Sequence, residues 1–276
     1  MEDGGLIWLA SYPKSGNTWV RCLLEAYTNN GHVDINNIRL AFGDAGRALY
    51  QSVSALDVNN LTEAELCLLR PAALMFGMAN FRPPRFVKSH SVNVTGDLFS
   101  PLIPPQLTKC AIYVVRDPRS VAVSWSRFFG KSMDDTILAI GSDGTRLGGN
   151  GAADSHVTTL VSSWSRHVAS WSKKYNYPTL ILRYEDMVED TDKKLREIIE
   201  FLGWEYDEAR AKRALKATNK RQLQKQEDKK GFQEASKHSD RFFTEGGTRW
   251  KQELAPKHIK QIEADHADMM KQYGYL

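Results

Sequence analysis

The segment Leu6–Arg21, LIWLASYPKSGNTWVR, joins an apolar run to an amphipathic one through a short turn. This order predicts a buried strand, a tight turn and the first turn of a helix. A helix N-terminus attracts anions because its first N–H groups lack partners within the helix and lie at the positive end of the dipole. Lys14 adds a positive charge, and Gly16 lets the backbone approach a ligand closely. The turn also carries three hydrogen-bonding side chains: Ser15, Asn17 and Thr18. We therefore predict a site for a phosphate or a phosphate-like group.

The turn differs from the nucleoside-triphosphate loop G-x-x-x-x-G-K-[ST], in which the lysine follows the last glycine. Here Lys14 precedes Gly16, and Trp19 follows the polar residues. The turn resembles the 5′-phosphosulfate loop of sulfotransferases that use 3′-phosphoadenosine 5′-phosphosulfate (PAPS). From the loop alone, a capped strand-to-helix turn with a solvated Lys14 is the alternative.

A second anion-binding pattern lies in Tyr113–Ser124, YVVRDPRSVAVS. The planar fork of Arg116 suits bidentate binding of a phosphate, and Ser124 lies two turns into the following predicted helix. This spacing resembles the 3′-phosphate motif of the same sulfotransferases, an arginine followed eight positions later by a serine. In the alternative, Arg116 pairs with Asp117 or with a helix C-terminus, and Ser124 is a small packing residue.

The segment Phe86–His90, FVKSH, brings Lys88 and His90 to the end of a short apolar run. It is similar to the Lys-[Ser/Thr]-His segment of sulfotransferases, and the resemblance implies that His90 is the general base. A hydroxyl acceptor needs such a base, since it is a weak nucleophile until its proton is removed. Lys14 and Lys88 would stabilise charge on the bridging oxygen as the sulfuryl group departs, so no metal is expected. Alone, a histidine at this position is more often a structural hydrogen-bonding residue.

Adenine recognition follows from the resemblance together with stacking physics. Trp19 offers an aromatic face to a base, although a core tryptophan is the rival interpretation. Tyr184, in LRYEDM, matches a family segment whose tyrosine lies near the adenine. Thr218, in ATNKRQL, matches its family segment only in part, because Asn219 and Lys220 replace the usual Ser-Phe.

The segment Arg241–Lys251, RFFTEGGTRWK, departs from the family pattern. Many cytosolic sulfotransferases have Arg-Lys-Gly here, gripping the 3′-phosphate, where this chain has Thr244-Glu245-Gly246. A glutamate repels a phosphate. The GGTR portion is more similar to the Gly-Gly-x-Arg of bacterial enzymes that sulfate glycopeptides. This likeness implies that Arg249 binds the 3′-phosphate, with Arg241 and Lys251 as competitors.

Strands and helices alternate along the chain. Apolar runs predict strands at Leu6–Ala10, Cys110–Val115 and Thr179–Arg183, with a shorter one at Phe86–Lys88. Helical patterns lie at Thr18–Tyr27, Thr62–Arg70, Pro118–Phe129, Val157–Lys174, Asp192–Phe201, Asp207–Ala217 and Pro256–Tyr273. We predict an α/β fold with a mainly parallel sheet flanked by helices, the P-loop-containing sulfotransferase fold, as one domain over residues 1–276. The polar segments named above follow predicted strands, where parallel sheets bind ligands.

Composition limits the classes of ligand, metal site and cellular location that the chain can have. The 276 residues carry a net charge of +4 without a long basic block, which suits an anionic cofactor and not a nucleic acid. The three cysteines, Cys22, Cys67 and Cys110, are widely spaced, so neither a metal knuckle nor a disulfide framework is indicated. The absence of a signal-like N-terminus and of an apolar run of about 18 residues predicts a cytoplasmic protein that does not bind membranes.

These patterns predict a PAPS-dependent sulfotransferase that transfers a sulfuryl group to a hydroxyl or amine of a small molecule, such as a secondary metabolite, and releases 3′-phosphoadenosine 5′-phosphate (PAP). One alternative is a P-loop nucleotide kinase, which would need Mg²⁺ and the standard loop. Another is a non-catalytic nucleotide-binding module, which has no need of Lys88 and His90.

The acceptor and the oligomeric state stay open, and the dimer segment of animal cytosolic enzymes is missing. Residues 29–80 and 130–155 are expected to set acceptor specificity. Asp34, Asp44 and Asp57 are expected on a solvated surface, with recognition of a cationic acceptor as the alternative, and a mobile loop is expected at Asp143–Asp154.

Overall fold

The computed structural model describes residues 5–95, 100–149, 154–244 and 247–276. The chain divides into two compact units. The first unit comprises Met1–Tyr12, Ala41–Tyr113 and Ser142–Ile181. The second unit comprises Pro13–Leu40, Val114–Gly141 and Leu182–Leu276.

A parallel sheet forms the centre of the first unit. Its strands are β1 (Leu6–Ser11), β2 (Ala41–Gly43), β3 (Arg85–Ser89), β4 (Thr108–Val115) and β7 (Thr179–Arg183), in the spatial order β2-β3-β1-β4-β7. Strand β1 pairs in parallel with β3, and β2 pairs in parallel with the other edge of β3. Every residue of β1 is buried, as a continuous apolar run in a parallel sheet predicts. The short strands β5 (Arg146–Leu147) and β6 (Thr159–Leu160) form a separate antiparallel pair. The predicted α/β class with a mainly parallel sheet is confirmed.

Thirteen α-helices are found in the described residues. Those of the first unit are α2 (Arg47–Gln51), α3 (Glu63–Asn80) and α6 (Trp164–Trp171). Those of the second unit are α1 (Asn17–Thr28), α4 (Pro118–Phe129), α5 (Met133–Gly141), α7 (Tyr184–Glu189), α8 (Thr191–Phe201), α9 (Glu208–Thr218), α10 (Lys220–Lys230), α11 (Trp250–Glu253), α12 (Pro256–Asp265) and α13 (Ala267–Gln272). No helix in the described part of the chain is long and apolar enough to cross a membrane.

Two helices begin and end where local sequence signals place them. Helix α4 starts after Asp117, whose carboxylate accepts a hydrogen bond from the Arg119 N–H at 2.9 Å. Helix α8 starts after Asp190, which accepts from the Lys193 N–H at 3.0 Å, and is terminated by Gly203 at φ +73°. Both boundaries depend on residues adjacent in sequence, which explains why they were predictable.

Other predicted boundaries are wrong. Helix α3 does not stop at Arg70 but continues through Pro71 to Asn80, because its later turns bury Ala73 and Leu74 in the core of the first unit. The helix predicted for Val157–Lys174 begins only at Trp164, since β6 comes first and Ser163 caps the helix by accepting from the Arg166 N–H at 3.2 Å.

The C-terminal and central helical segments also differ from prediction. The pattern Pro256–Tyr273 is divided into α12 and α13 at His266, whose backbone (φ −122°, ψ 13°) leaves the helical range. Helix α5 was not predicted, although Asp134 and Asp135 mark its first turn. Part of the predicted Gly-rich loop, residues 150–153, lies outside the described residues. Cys22 and Cys110 are buried thiols, as their apolar surroundings in the sequence predict.

Candidate active site

The turn between β1 and α1 has the predicted strand–turn–helix form. Lys14 lies at φ +70° and Gly16 at φ +101°, both in the left-handed region. For a lysine this conformation costs on the order of 1–3 kcal/mol, and such strain clusters at ligand-binding sites. A Cβ on Gly16 would lie 2.6 Å from Cδ2 of Tyr184, so only glycine fits at this position. The turn therefore combines backbone strain with a close approach between main chain and an aromatic ring.

Lys14 and Arg116 are linked through the main chain of this turn. The Arg116 guanidinium donates from Nη1 to the Lys14 carbonyl at 2.9 Å and lies 4.4 Å from the Tyr184 ring centroid. The Lys14 ammonium lies over two aromatic rings, 3.7 Å from the centroid of Phe128 and 4.3 Å from that of Phe242. Cation–π attraction holds the ammonium between these rings.

The residues predicted to recognise a base lie together in the second unit. Trp19 and Tyr184 meet edge to face with centroids 5.8 Å apart. The Trp19 Nε1–H donates to the Thr218 carbonyl at 3.1 Å. The Thr218 hydroxyl is buried and donates to the Ala214 carbonyl at 2.8 Å. Thr218 thus contacts this cluster through its main chain and supports Trp19.

A strongly basic cleft lies within the second unit. Five cationic residues line it: Lys14, Arg116, Arg127, Arg241 and Arg249. Ser124 and several further hydroxyl residues complete its wall, and no carboxylate lies among its described lining residues. The cleft therefore concentrates positive charge where an anion would bind.

Carboxylates outside the cleft lining form ion pairs with three of these arginines. Glu253 lies 2.7 Å from Arg127 and 4.0 Å from Arg249, and Asp228 lies 2.7 Å from Arg241. Lys251 does not line the cleft. Glu245 and Gly246, which depart from or match the family patterns discussed above, lie outside the described residues.

The polar residues just before and at the start of α1 have different environments. Ser15 is fully buried, and its Oγ has no hydrogen-bond partner within the described part of the chain. Asn17 is also buried. The Thr18 hydroxyl donates to Glu234 at 3.0 Å and accepts from Arg21, whose guanidinium forms an ion pair with Glu234 at 2.7 Å. The Thr18 hydroxyl is therefore part of a charged hydrogen-bond network that the sequence did not predict.

Lys88 and His90 lie in the first unit, at the carboxyl end of β3. The His90 Nδ1 is 2.8 Å from the carbonyl oxygen of Ser11, the last residue of β1. Because a carbonyl oxygen only accepts, this contact requires a proton on Nδ1 and leaves the lone pair on Nε2. That tautomer is the one that can accept a proton at Nε2.

A buried ion pair supports this end of β3. Asp44 is 3% exposed and pairs with Arg70, which corrects the prediction that Asp44 lies on a solvated surface. The Asp44 carboxylate accepts hydrogen bonds from the hydroxyls of Ser89 at 2.6 Å and Ser91 at 3.0 Å. The backbone N–H of Asp44 donates to the Lys88 carbonyl. The ion pair thereby fixes the main chain on both sides of His90.

Sequence reasoning did not identify some residues of the site. Arg127 follows Ser124 by three positions, so the helical repeat alone places it on the same face of α4. Phe242 and Glu234 carry no comparable signal, since they reach Lys14 and Thr18 from a distant part of the chain. No group of three or more His, Cys, Asp or Glu residues that could hold a metal ion is found in the described ranges.

The fold and the phosphate-type turn define a protein of the P-loop-containing α/β class, and comparison with known proteins gives the family. The model of the sulfotransferase domain family matches residues 5–274. The chain therefore belongs to the sulfotransferase family, as the sequence motifs predicted.

Curated relatives include sulfotransferase 1B1 of Canis lupus familiaris, 30% identical over 207 residues that cover 71% of this chain and 58% of the relative. Sulfotransferase 1A1 of Bos taurus is 26% identical over 224 residues, covering 79% of this chain and 65% of the relative. The chain thus spans less than two thirds of the length of these relatives.

Solved structures share the fold. Retinol dehydratase in complex with androsterone and the inactive cofactor PAP has a TM-score of 0.63 and 22% identity, covering 96% of this chain and 80% of that one. Mouse sulfotransferase SULT7A1 complexed with PAP has a TM-score of 0.63 and 19% identity, covering 100% of this chain and 89% of that one. At these identities the likeness is one of fold.

Proposed function

We propose that this protein transfers a sulfuryl group from PAPS to a hydroxyl or amine of a small-molecule acceptor and releases PAP. The basic cleft of the second unit carries the proposal. PAPS is polyanionic, with a phosphosulfate at one end of its ribose and a phosphate at the other. A cleft lined by five cationic residues and by no carboxylate among its described residues suits such a ligand.

The residues of the β1–α1 turn fit the phosphosulfate. The buried Ser15 hydroxyl lacks a partner among the described residues and offers a hydrogen bond to an anionic oxygen. The absence of a side chain on Gly16 keeps the turn open beside Tyr184. We propose that Lys14, Ser15, Gly16, Asn17 and Thr18 bind this end of PAPS, with Trp19, Tyr184 and Thr218 forming or supporting the adenine site.

For the 3′-phosphate we propose Arg116, Ser124 and Arg249. All three line the cleft together with Arg127, which the motif comparison had not included. Glu253 contacts both Arg127 and Arg249, so a phosphate would compete with one carboxylate for two guanidinium groups. Lys251, one of the earlier competitors, is not in the cleft lining.

His90 is proposed as the general base. Its Nε2 lone pair would take the proton of the acceptor hydroxyl as that oxygen forms a bond to sulfur. The bond between sulfur and the bridging oxygen breaks, and the negative charge stays on the departing PAP. Lys14 and Lys88 are proposed to stabilise that charge, a role in which cationic side chains lower the barrier.

The remaining parts of the proposal concern the acceptor, the location of the protein and the metal requirement. Retinol dehydratase was solved with androsterone and with retinol, which favours a small-molecule acceptor. A cytoplasmic location, one sulfotransferase domain, and the absence of nucleic-acid or membrane partners follow from the sequence reasoning alone. We expect turnover without added metal because side chains supply the positive charge.

The decisive experiment separates transferase, kinase and binding module. The protein is incubated with PAPS or ATP, with and without Mg²⁺, and with a panel of phenols, alcohols and amines. PAP release that depends on PAPS and an acceptor, without metal, supports the proposal. ATP turnover would support a nucleotide kinase, and binding without turnover would support a non-catalytic module.

Two variants test the residue assignments. Arg249→Ala should weaken PAP binding about 10–100-fold, the value of a charge-assisted hydrogen-bond pair. Lys251→Ala, which removes the same charge two residues away and outside the cleft lining, is the matched control. If Lys251→Ala weakens binding as much as Arg249→Ala, the 3′-phosphate assignment is wrong.

His90→Ala should lower turnover about 10²–10⁴-fold. Its affinity for PAP should stay unchanged, which isothermal titration calorimetry measures on the same preparation. A near-normal turnover number in this variant would exclude His90 as the base.

A further inference from the structure

A group of buried rings in the first unit is centred on His167, which contacts the main chain of His90. His167, on α6, is 0% exposed and packs edge to face against Tyr12 with centroids 5.3 Å apart. Its ring also lies against Tyr113, at a centroid distance of 5.6 Å. The His167 Nε2 is 3.2 Å from the His90 carbonyl oxygen, and its Nδ1 is 2.9 Å from the Tyr113 hydroxyl.

The chemistry of these contacts fixes the direction of each hydrogen bond. The His90 carbonyl oxygen can only accept, so His167 carries its proton on Nε2. Nδ1 then accepts from the Tyr113 hydroxyl. Burial lowers the pKa of His167 to about 3, so the imidazole stays neutral and keeps one tautomer. The result is a one-directional chain from Tyr113 through His167 to His90.

His90 is therefore held at two points. Its Nδ1–H donates to the Ser11 carbonyl at 2.8 Å, which orients the ring. Its own carbonyl accepts from His167, which orients the peptide plane from which the side chain leaves. Helix α6 also contacts the next residue of this segment, because the Trp171 Nε1–H donates to the Ser91 carbonyl at 3.0 Å.

We propose that His167 is a positioning residue for the reaction: by binding the His90 carbonyl it keeps the His90 imidazole in the orientation and tautomer that remove the acceptor proton. The proposal rests on the proposed role of His90 as general base. His167 acts through the main chain of His90, and Tyr113 sets the tautomer in which His167 can do so.

Three variants and a control test this role. His167→Leu removes the donor to the His90 carbonyl, whereas His167→Gln keeps an amide N–H at nearly the same distance from the backbone. We expect His167→Leu to lower kcat at least about tenfold, with KM for the acceptor and PAP affinity within about twofold. His167→Gln should recover most of that loss. Trp171→Phe removes an equally buried donor to the adjacent Ser91 carbonyl and should leave kcat within about twofold.

A spectroscopic readout reports on His90 itself. The ¹⁵N chemical shifts of its ring nitrogens distinguish a proton on Nδ1 from one on Nε2. The wild type should show the Nδ1–H tautomer, and His167→Leu should show a mixture. If His167→Leu does not fold, Tyr113→Phe removes only the hydroxyl that faces Nδ1 and should produce the same mixture with a severalfold lower kcat.

The outcomes are distinguishable. If His90→Ala keeps normal turnover, the proposed base is wrong and the inference fails with it. If His90→Ala is inactive but the His167 or Tyr113 variant keeps the wild-type kcat and His90 shifts, the inference alone is overturned. An equal loss of kcat in Trp171→Phe would mean general loosening of the segment and would also overturn it.

Discussion

Two buried histidines should make the protein lose stability in mild acid. Burial lowers the pKa of His167 to about 3 and that of His266 to about 4. In the unfolded chain a histidine has a pKa of about 6.5. Between these values the unfolded chain binds protons that the folded protein does not, so stability is full above pH 6.5 and falls as the pH decreases towards 4.

The size of the effect follows from the linkage relation. A native pKa of about 3 against an unfolded value of about 6.5 gives a loss of about 2 kcal/mol for His167 between pH 7 and pH 5. His266 contributes a similar loss of about 2 kcal/mol, since its native pKa also lies below this interval. Both side chains are at most 2% exposed, so solvent screens the effect little. A total of about 4 kcal/mol is a large fraction of a typical stability of about 5–15 kcal/mol.

The assay is urea unfolding at pH 7 and pH 5, followed by circular dichroism. His167→Gln and His266→Gln should each reduce the difference in unfolding free energy between the two pH values by about 2 kcal/mol, whatever they do to absolute stability. The other titrating groups are shared by the wild type and the variants, so their contributions cancel in this comparison. Replacement of the exposed His32 by Gln is the control. The reasoning is refuted if both variants retain the wild-type pH dependence.

Three further changes have defined outcomes. Gly16→Ala should weaken PAP binding at least about tenfold in calorimetric titration, because its Cβ would meet a ring at 2.6 Å and its φ is +101°. Asp44→Asn should lower the free energy of unfolding in urea by about 3–5 kcal/mol, since it leaves the buried Arg70 without its carboxylate. Glu234→Gln should tighten PAP binding severalfold in the same titration, because it removes a negative charge that contacts Thr18 in the first turn of α1.

Each of these changes has a control or a contrary outcome. Gly203→Ala introduces a side chain at φ +73° with no neighbour within 4 Å, so it should cost stability and spare PAP binding. Asp34→Asn alters an exposed pair with Lys230 and should change stability little. Weaker PAP binding by Glu234→Gln would mean that Glu234 supports the turn and does not compete with the ligand.

The sequence predicted those features that depend on neighbouring residues. Asp117 followed by Pro118 fixes the start of α4, and the polar turn after β1 needs only the order of a strand, a lysine and a glycine. The strands of the parallel sheet were predictable because burial on both faces produces continuous apolar runs. Because these strands were predictable, the polar segments that follow β1, β3 and β4 could be identified as candidate ligand-binding segments.

Features that depend on distant residues were not predictable in this way. Asp44 lies in a segment without regular patterning, and only the fold shows that Arg70 and two serines bury its charge. Pro71 ends a helix by local rules, yet burial of the turns beyond it outweighs the lost hydrogen bond. The aromatic contacts of Lys14 likewise join residues with no common spacing, so no sequence period reveals them.

Strand β1 contacts the proposed base through its last residue. The Ser11 carbonyl accepts a hydrogen bond from the Nδ1–H of His90 and thereby selects the tautomer of the proposed base. Three residues later, Lys14 adopts a left-handed conformation in the turn that is proposed to bind the phosphosulfate. A strand buried along its whole length can change neither its register nor its exit direction without moving core side chains. Strand β1 thereby constrains the proposed base through Ser11, and His167 adds a second constraint through the His90 carbonyl.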